Sequence, residues 1–452
     1  MEEAVRKAGA SIDPLNKLRH KQGELAILRS AGPFTKISHL RAVNPSDWPT
    51  NLLKRTDEFT KRELERIASA PIPNPTLKLA LLPISEGGIG ISSAIDKYRQ
   101  SSLYAQAQLA ISTQLSKMHR ADFTRQTGNQ CISPPNSGAS IVKEAMKTST
   151  PSARLRLQQS LDPHSGAFLT AKPCGTTELS DEAFSIALRL RLGLDILPAG
   201  FNCETHNIEM DTLGYHALSC QNFQGAVTRR HNLIRDAMFA QCSHIDRNAK
   251  IIAPSSQTVT NSEASVGAAV YTEQRATERT VPGDVMVSLS STAESTFYDI
   301  IMTNCLTDNA THTYVQQLSS PLGLEQLLDA PFQRKLMKHS RDVARAGARF
   351  VPLVFSNMGG IHGDSLTELR RLSNFVAGRL GLSEQDKWHG FIAELGCSLA
   401  RGNALVLAAS RQTIAAMTCT RGESTRPGEL EDAPLGGATR RRKNWQPQDR
   451  LN

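Results

Sequence analysis

Apolar residues recur at helical spacing from the N-terminus to about residue 120, as at Leu103, Ala107, Ile111 and Leu115, which stack on one helix face. The pattern predicts a plain helical domain. It is interrupted by Leu81-Leu82-Pro83-Ile84-Ser85-Glu86-Gly87-Gly88-Ile89-Gly90-Ile91, where one proline and three glycines disfavour helix and strand alike and force a tight irregular turn. Gln126 to Gly138, rich in Asn, Pro, Gly and Ser, reads as a linker. A second well-signalled helix spans 180 to 193, with Ser180 as N-cap, Asp181 and Glu182 in its first turn, Arg189 and Arg191 among its leucines, and Gly193 as terminator.

Further on the period changes. Glu263 to Glu278 is polar apart from Val266 and Val270, which suggests an insertion or mobile loop. Val285, Val287 and Leu289 alternate as in a half-buried strand, Phe297 to Met302 makes a second apolar run, and Ser290 to Ser295 between them reads as a hairpin turn. Phe350 to Phe355 is a third strand, placed at a sheet edge or a strand start by Pro352. Ser365 and Glu368 have capping-box spacing for a helix with Leu369, Leu372 and Val376 on its apolar face. Ser383 opens another helix that reaches past Leu405, and from Cys419 onward glycine, proline and charge predict a disordered tail.

Length and charge narrow the class. With 452 residues the chain exceeds one ordinary core and predicts roughly three folding units. Its net charge of +9 and pI near 9.2 suit a polyanionic partner. Arg440, Arg441, Arg442, Lys443 and Arg450 against Asp449 supply +4 of that excess in the tail, so the body is only mildly basic. Eight widely spread cysteines without a dense disulfide spacing fit a reducing compartment. No run of about 18 apolar residues and no apolar N-terminal leader is visible, so a soluble intracellular protein without a membrane partner is expected.

Two constellations carry chemistry. Cys203, His206, His216 and Cys220 form C-x2-H-x9-H-x3-C, a spacing that lets a short loop and the following turn close four ligands around a structural zinc ion. Gly214 stands where the chain must reverse, and His216 and Cys220 are one helical turn apart. The alternative is two buried cysteines and two surface histidines. In the second constellation, Asp284 stands at the mouth of the first strand and Asp299 in the second, and a two-residue hairpin would oppose them directly. Facing carboxylates about 5 Å apart can share one hard cation, Mg2+ or Mn2+, and repel each other without a cation. Such a cation assists phosphodiester hydrolysis, with Lys335 or Lys338 on the following helix to neutralise the phosphate. The competing reading has either aspartate capping a turn.

Together the segments resemble the region C-terminal to the polymerase in site-specific non-LTR retrotransposon proteins with a restriction-like endonuclease of the PD-(D/E)XK type. Leu82-Pro83 through Gly87-Gly88-Ile89-Gly90 resembles their thumb motif, and Gly166 to Ala171 with Ala187 to Gly193 resembles the approach to their zinc knuckle. Cys203, the stretch Asp211 to Cys220, Arg230-His231-Asn232, Pro282-Gly283-Asp284, Asp299 and the Lys335/Lys338 helix follow in family order, so the resemblance covers about residues 30 to 375. The chain departs from the family at His206, where cysteine is usual, at Val281, where a basic residue is usual, and at Ile301, where a lysine is usual. It has no aromatic-x-Asp-Asp motif, so no polymerisation is expected of this chain itself.

The resemblance implies an α+β protein with a helical thumb-like remnant (1–125), a linker and helices (126–193), a zinc knuckle (194–222), a restriction-like α/β endonuclease domain (223–375), C-terminal helices (376–418) and a basic tail (419–452). It implies magnesium-dependent nicking of DNA by Asp284 and Asp299 with Lys338 or Lys335 as charge stabiliser, with the knuckle and thumb remnant gripping nucleic acid. DNA, with element RNA as a further candidate, is the implied partner and the nucleus the implied location. A catalytically inactive nucleic-acid-binding remnant is the rival reading.

Overall fold

In the computed structural model, residues 18–31, 50–96, 138–252, 283–288, 295–306, 324–345 and 347–423 are described. The expectations for the helix face at Leu103 to Leu115, the linker 126–137, the insertion 263–278, the turn residues 290–294 and the tail beyond residue 423 lie outside them.

The fold is mixed α+β and mostly helical, with two small sheets. Helices α1 (Lys21–Ala31), α2 (Thr50–Ala68), α3 (Asn74–Ala80), α4 (Gly138–Thr148), α5 (Pro151–Ser160) and the single turn α6 (Ala167–Thr170) precede α7 (Asp181–Leu192). The signals for α7 act as expected: Ser180 Oγ accepts the Ala183 amide at 3.2 Å, and Gly193 closes the helix with φ 68°. Polar side chains hold α1 to this region. Lys21 Nζ donates to Ser185 Oγ at 2.6 Å, and Gln22 accepts the Leu179 amide while donating to the carbonyl of Thr177.

The glycine-rich phrase is a tight turn around one 3-10 turn, Ile84–Glu86, with Gly87 and Gly90 at φ 85° and 79°. A Cβ on Gly88 would lie 2.0 Å from the Leu82 carbonyl oxygen, so no other residue fits there. Arg191 of α7 is 1% exposed and holds the turn from inside. Its guanidinium donates to the carbonyls of Gly88, Ile84 and Ser160 and to Ser165 Oγ, at 3.0 to 3.2 Å. These acceptors are all uncharged. Burial, aided by nearby Arg156, therefore lowers the Arg191 pKa to about 10.

The two-residue strands β1 (Asn202–Cys203) and β2 (Ile208–Glu209) form a hairpin, after which α8 (Gln224–Ile245) leads into the main sheet. That sheet contains β3 (Lys250–Ile251), β4 (Val285–Ser288), β5 (Ser295–Thr303) and β6 (Arg349–Ser356) in sequence order. The first two pairings are antiparallel and β5 to β6 is parallel, a direction made possible by the crossing helix α9 (Leu324–Arg345). Helices α10 (Gly363–Leu380) and α11 (Glu384–Glu423) follow.

Strand alternation divides the apolar residues between two layers. Val285, Val287, Tyr298, Ile300, Leu353 and Phe355 face α8, α10 and α11, where Met238, Leu369, Phe391 and Leu395 complete the main core. Met286, Phe297 and Phe350 face the other way, toward Val343 of α9. Asp299 has the parity of Phe297 and therefore belongs to the α9 face.

Two sequence expectations need correction. Ser365 does not cap α10, which starts after His362. Instead Ser365 Oγ donates to the Pro352 carbonyl and accepts the Val354 amide, joining the helix to β6, while Glu368 is buried under Tyr298, Arg349 and Arg371. Helix α11 also runs beyond Cys419, as far as Glu423. Pro352 lies within β6, but β6 is an edge strand, as that proline requires. Over Glu384–Met417, α11 is long and apolar enough to cross a membrane by length and composition alone, yet its Phe391, Ile392, Leu395 and Leu399 are core residues. The chain divides into two compact units, Met1–Arg411 and Gln412–Asn452, and residues 412–423 of the second are helical.

Candidate metal centre and adjoining cleft

The β1–β2 hairpin presents Cys203 and His206, and Asn207 turns the chain with φ 49° while its amide donates to the Cys203 carbonyl. The second pair brackets a 3-10 turn, Ala217–Ser219, with His216 before it and Cys220 after it. Asp211 sets this turn by accepting the amides of Tyr215 and His216 at 2.7 and 2.8 Å. Gly214 supplies the expected reversal with φ 80°.

The four residues converge. Their ligand atoms lie within 4.8 Å of one another, with Cys203 Sγ 3.5 Å from Cys220 Sγ and 3.4 Å from His206 Nδ1. Two thiols and two imidazoles at these separations can close around a tetrahedral ion such as zinc. An orphaned polar atom gives a second test of the fit, since His216 Nε2 is buried without a hydrogen-bond partner, a defect that metal ligation would remove. Burial and neighbouring His206 lower the His216 pKa, which keeps the ring in its neutral, ligating form. Burial and the Cys203 thiol raise the Cys220 pKa, so metal binding must expel its proton.

Beside the knuckle lies a cleft of about 570 Å³, lined by residues of α8, α9 and the sheet, with Ser219 of the knuckle on its wall. Asp284, Asp299, Lys335 and Lys338 all line it. Gly283 makes the approach of Asp284 possible: its φ is 87°, and a Cβ there would meet the Tyr298 carbonyl oxygen at 2.9 Å. The ladder ends at Val285 opposite Tyr298, and one residue beyond it the Asp284 amide donates to the Tyr298 carbonyl at 2.6 Å, so the two aspartates meet at the end of the β4–β5 pairing and not as a ladder pair.

Each aspartate has its own partner. Asp284 Oδ2 accepts the Ile300 amide at 2.7 Å and lies 3.2 Å from His231 Nε2. Asp299, 8% exposed, has its Oδ2 2.9 Å from Lys335 Nζ. Burial raises the Asp299 pKa, Lys335 opposes that shift, and Asp284 adds to it. His231 is pushed down by burial, but its hydrogen bond and charge interaction with Asp284 outweigh this and leave its pKa raised. The sequence expects something cationic beside the acidic pair, and Lys335 and His231 stand there, while burial still keeps the Asp299 pKa raised.

Lys335, half-buried, touches Asp299, whereas Lys338 is exposed on the cleft wall without an ion pair among the described residues. The Arg230-His231-Asn232 run lines the cleft, and the Arg230 guanidinium donates to Asn403 of α11 at 3.1 Å, where Gly402 leaves it room. The role of His231 was not legible from sequence, since helical spacing on α8 says nothing about which strand the ring meets. No family model and no curated protein matches this chain.

Proposed function

We propose that the cleft binds a nucleic-acid strand and hydrolyses a phosphodiester in it, as the DNA-nicking part of a retroelement-derived protein. The observation that carries this reading is the gathering of Asp284, Asp299, Lys335 and Lys338 from one strand mouth, one strand and one helix into a single open cleft. The three-layer arrangement of helices about a mixed sheet is consistent with the restriction-like core of the resemblance. Both internal contacts of the acids use Oδ2, so each carboxylate keeps Oδ1 as a ligand atom for magnesium, an ion that needs only one or two carboxylates beside substrate oxygens. Magnesium would supply charge neutralisation and a more acidic water. Lys338, exposed on the cleft wall, or Lys335 pairs with the phosphate as it gains charge, and Asp284 is held in place by the Ile300 amide. Water adds to phosphorus, the bond to the 3′ oxygen breaks, and that oxygen takes up a proton. In a retroelement the freed 3′ end would serve as a primer.

One observation favours binding without hydrolysis. His231 and Lys335 stand against the two acids within the cleft, so part of the charge that magnesium would balance is already met. Incubating supercoiled plasmid with the full chain and magnesium or manganese separates the two readings. Open-circle product from the wild type, absent for Asp284→Asn and Asp299→Asn, supports hydrolysis. Retained DNA binding with no product in either metal supports the binding reading.

A further inference from the structure

From residue 194 to 222 the knuckle carries four acids, Asp195, Glu204, Glu209 and Asp211, and no lysine or arginine. Glu204 and Glu209 are both exposed on its hairpin. A surface of that sign repels a phosphate backbone, because protein grip on nucleic acid depends mainly on lysine and arginine displacing counterions. The module nevertheless adjoins the cleft, and one side chain joins them. Asn304, just past the end of β5, donates from Nδ2 to the Tyr215 carbonyl at 2.9 Å and to Ser219 Oγ at 3.1 Å. Tyr215 directly precedes His216 and Ser219 directly precedes Cys220, so the two acceptors are the immediate neighbours of two candidate zinc ligands. Asn304 also accepts the Leu306 amide through Oδ1, and it lines the cleft with Asp299, which lies on β5 itself.

We infer that the knuckle is a zinc-set clamp on the cleft and not a nucleic-acid grip, and that Asn304 is the positioning residue that transmits it. Metal ligation at His216 and Cys220 fixes the backbone between them, and with it the two acceptors of Asn304. Those acceptors in turn hold the end of the strand that carries Asp299. Without the metal the tie has no fixed anchor, and the cleft end of β5 loosens. The inference rests on the cleft reading only for its binding readout.

The test uses the full chain with and without a zinc chelator, following amide hydrogen exchange over Ile300 to Asn304 and binding of a fluorescein-labelled oligonucleotide. Two hydrogen bonds are at stake, so stripping zinc from the wild type should speed exchange in this segment and weaken binding roughly ten-fold. Asn304→Ala should keep its zinc, show fast exchange from the outset, and respond little to chelation. Asn304→Asp, which keeps the acceptor for Leu306 but loses the donor, should match it in exchange. Zinc retention by both variants shows that the knuckle remains folded. An equal exchange response to chelation in wild type and variants would overturn the clamp, as would no response in the wild type. If the wild type binds no oligonucleotide but the exchange pattern holds, the clamp stands and the nucleic-acid reading of the cleft fails.

Discussion

The knuckle and the cleft are neighbours built from ligating side chains, yet their electrostatics differ. In the knuckle, two thiols and two imidazoles converge with one ring nitrogen left unsatisfied, and residues 194–222 supply no lysine or arginine to the set. In the cleft, two carboxylates converge with a cation beside each, Lys335 for Asp299 and His231 for Asp284, although Asp299 Oδ2 is, like the His216 ring nitrogen, buried without a well-formed hydrogen bond. A cluster of ligand atoms without a cation of its own is one that a metal completes. A cluster with one stands alone and holds a metal only in competition or by its unused oxygens. The difference predicts that metal removal should disorganise the first and leave the second standing.

The largest effect is expected at the knuckle. Structural zinc contributes an apparent roughly 10 to 16 kcal/mol in small metal-folded modules, so Cys203→Ser with Cys220→Ser should lose one zinc per chain and loosen residues 195 to 225. Metal analysis with hydrogen exchange checks this, and stoichiometric zinc in the double variant would contradict it.

The next effect separates the two aspartates. Asp284→Asn should cost about 1 to 3 kcal/mol in chelator, because the substitution weakens the hold on the Ile300 amide and uncouples His231. Asp299→Asn should cost less than about 1 kcal/mol or stabilise slightly, since it removes a buried charge whose partner Lys335 is partly exposed and keeps access to water. Thermal unfolding of both variants decides it, and equal losses would erase the distinction between the two acids.

A smaller effect concerns pH. The raised folded-state pKa of His231 means that its pair with Asp284 contributes stability fully below the ordinary histidine value of 6.5 and loses it as pH rises through the higher folded value. The wild type should therefore lose stability across that window relative to Asp284→Asn, and parallel stability profiles would refute the pairing. The smallest effect on stability belongs to the tail: removing residues 436 to 452 takes away +4 of charge and should weaken DNA binding without lowering the melting temperature. A large thermal loss would contradict a role through charge alone.

Much of this was legible in sequence wherever the causes are local. Ser180 and Gly193 mark the ends of α7, the glycines at 87 and 90 force the turn, and the C-x2-H-x9-H-x3-C spacing brings four ligands together. The hairpin arithmetic also brought Asp284 and Asp299 to the same end of the β4–β5 pair, where both line the cleft. What sequence could not show depends on tertiary neighbours. Glu368 sits at capping-box distance from Ser365 but serves Arg349, Arg371 and Tyr298 instead, and Ser365 serves the backbone of β6. His231 and Lys335 reach the acids from two different helices, and Asn304 reaches back to residues far earlier in the chain. No periodicity encodes such meetings.

The central claim about the cleft is that Asp284 and Asp299 together hold a hard cation despite their internal partners. The most direct measurement is the melting temperature of wild type, Asp284→Asn and Asp299→Asn with and without magnesium, since a ligand that binds only the folded state raises stability in proportion to its occupancy. The account predicts a magnesium-dependent rise in the wild type that both substitutions abolish. An equal magnesium response in all three proteins would contradict it, whatever the plasmid assay showed.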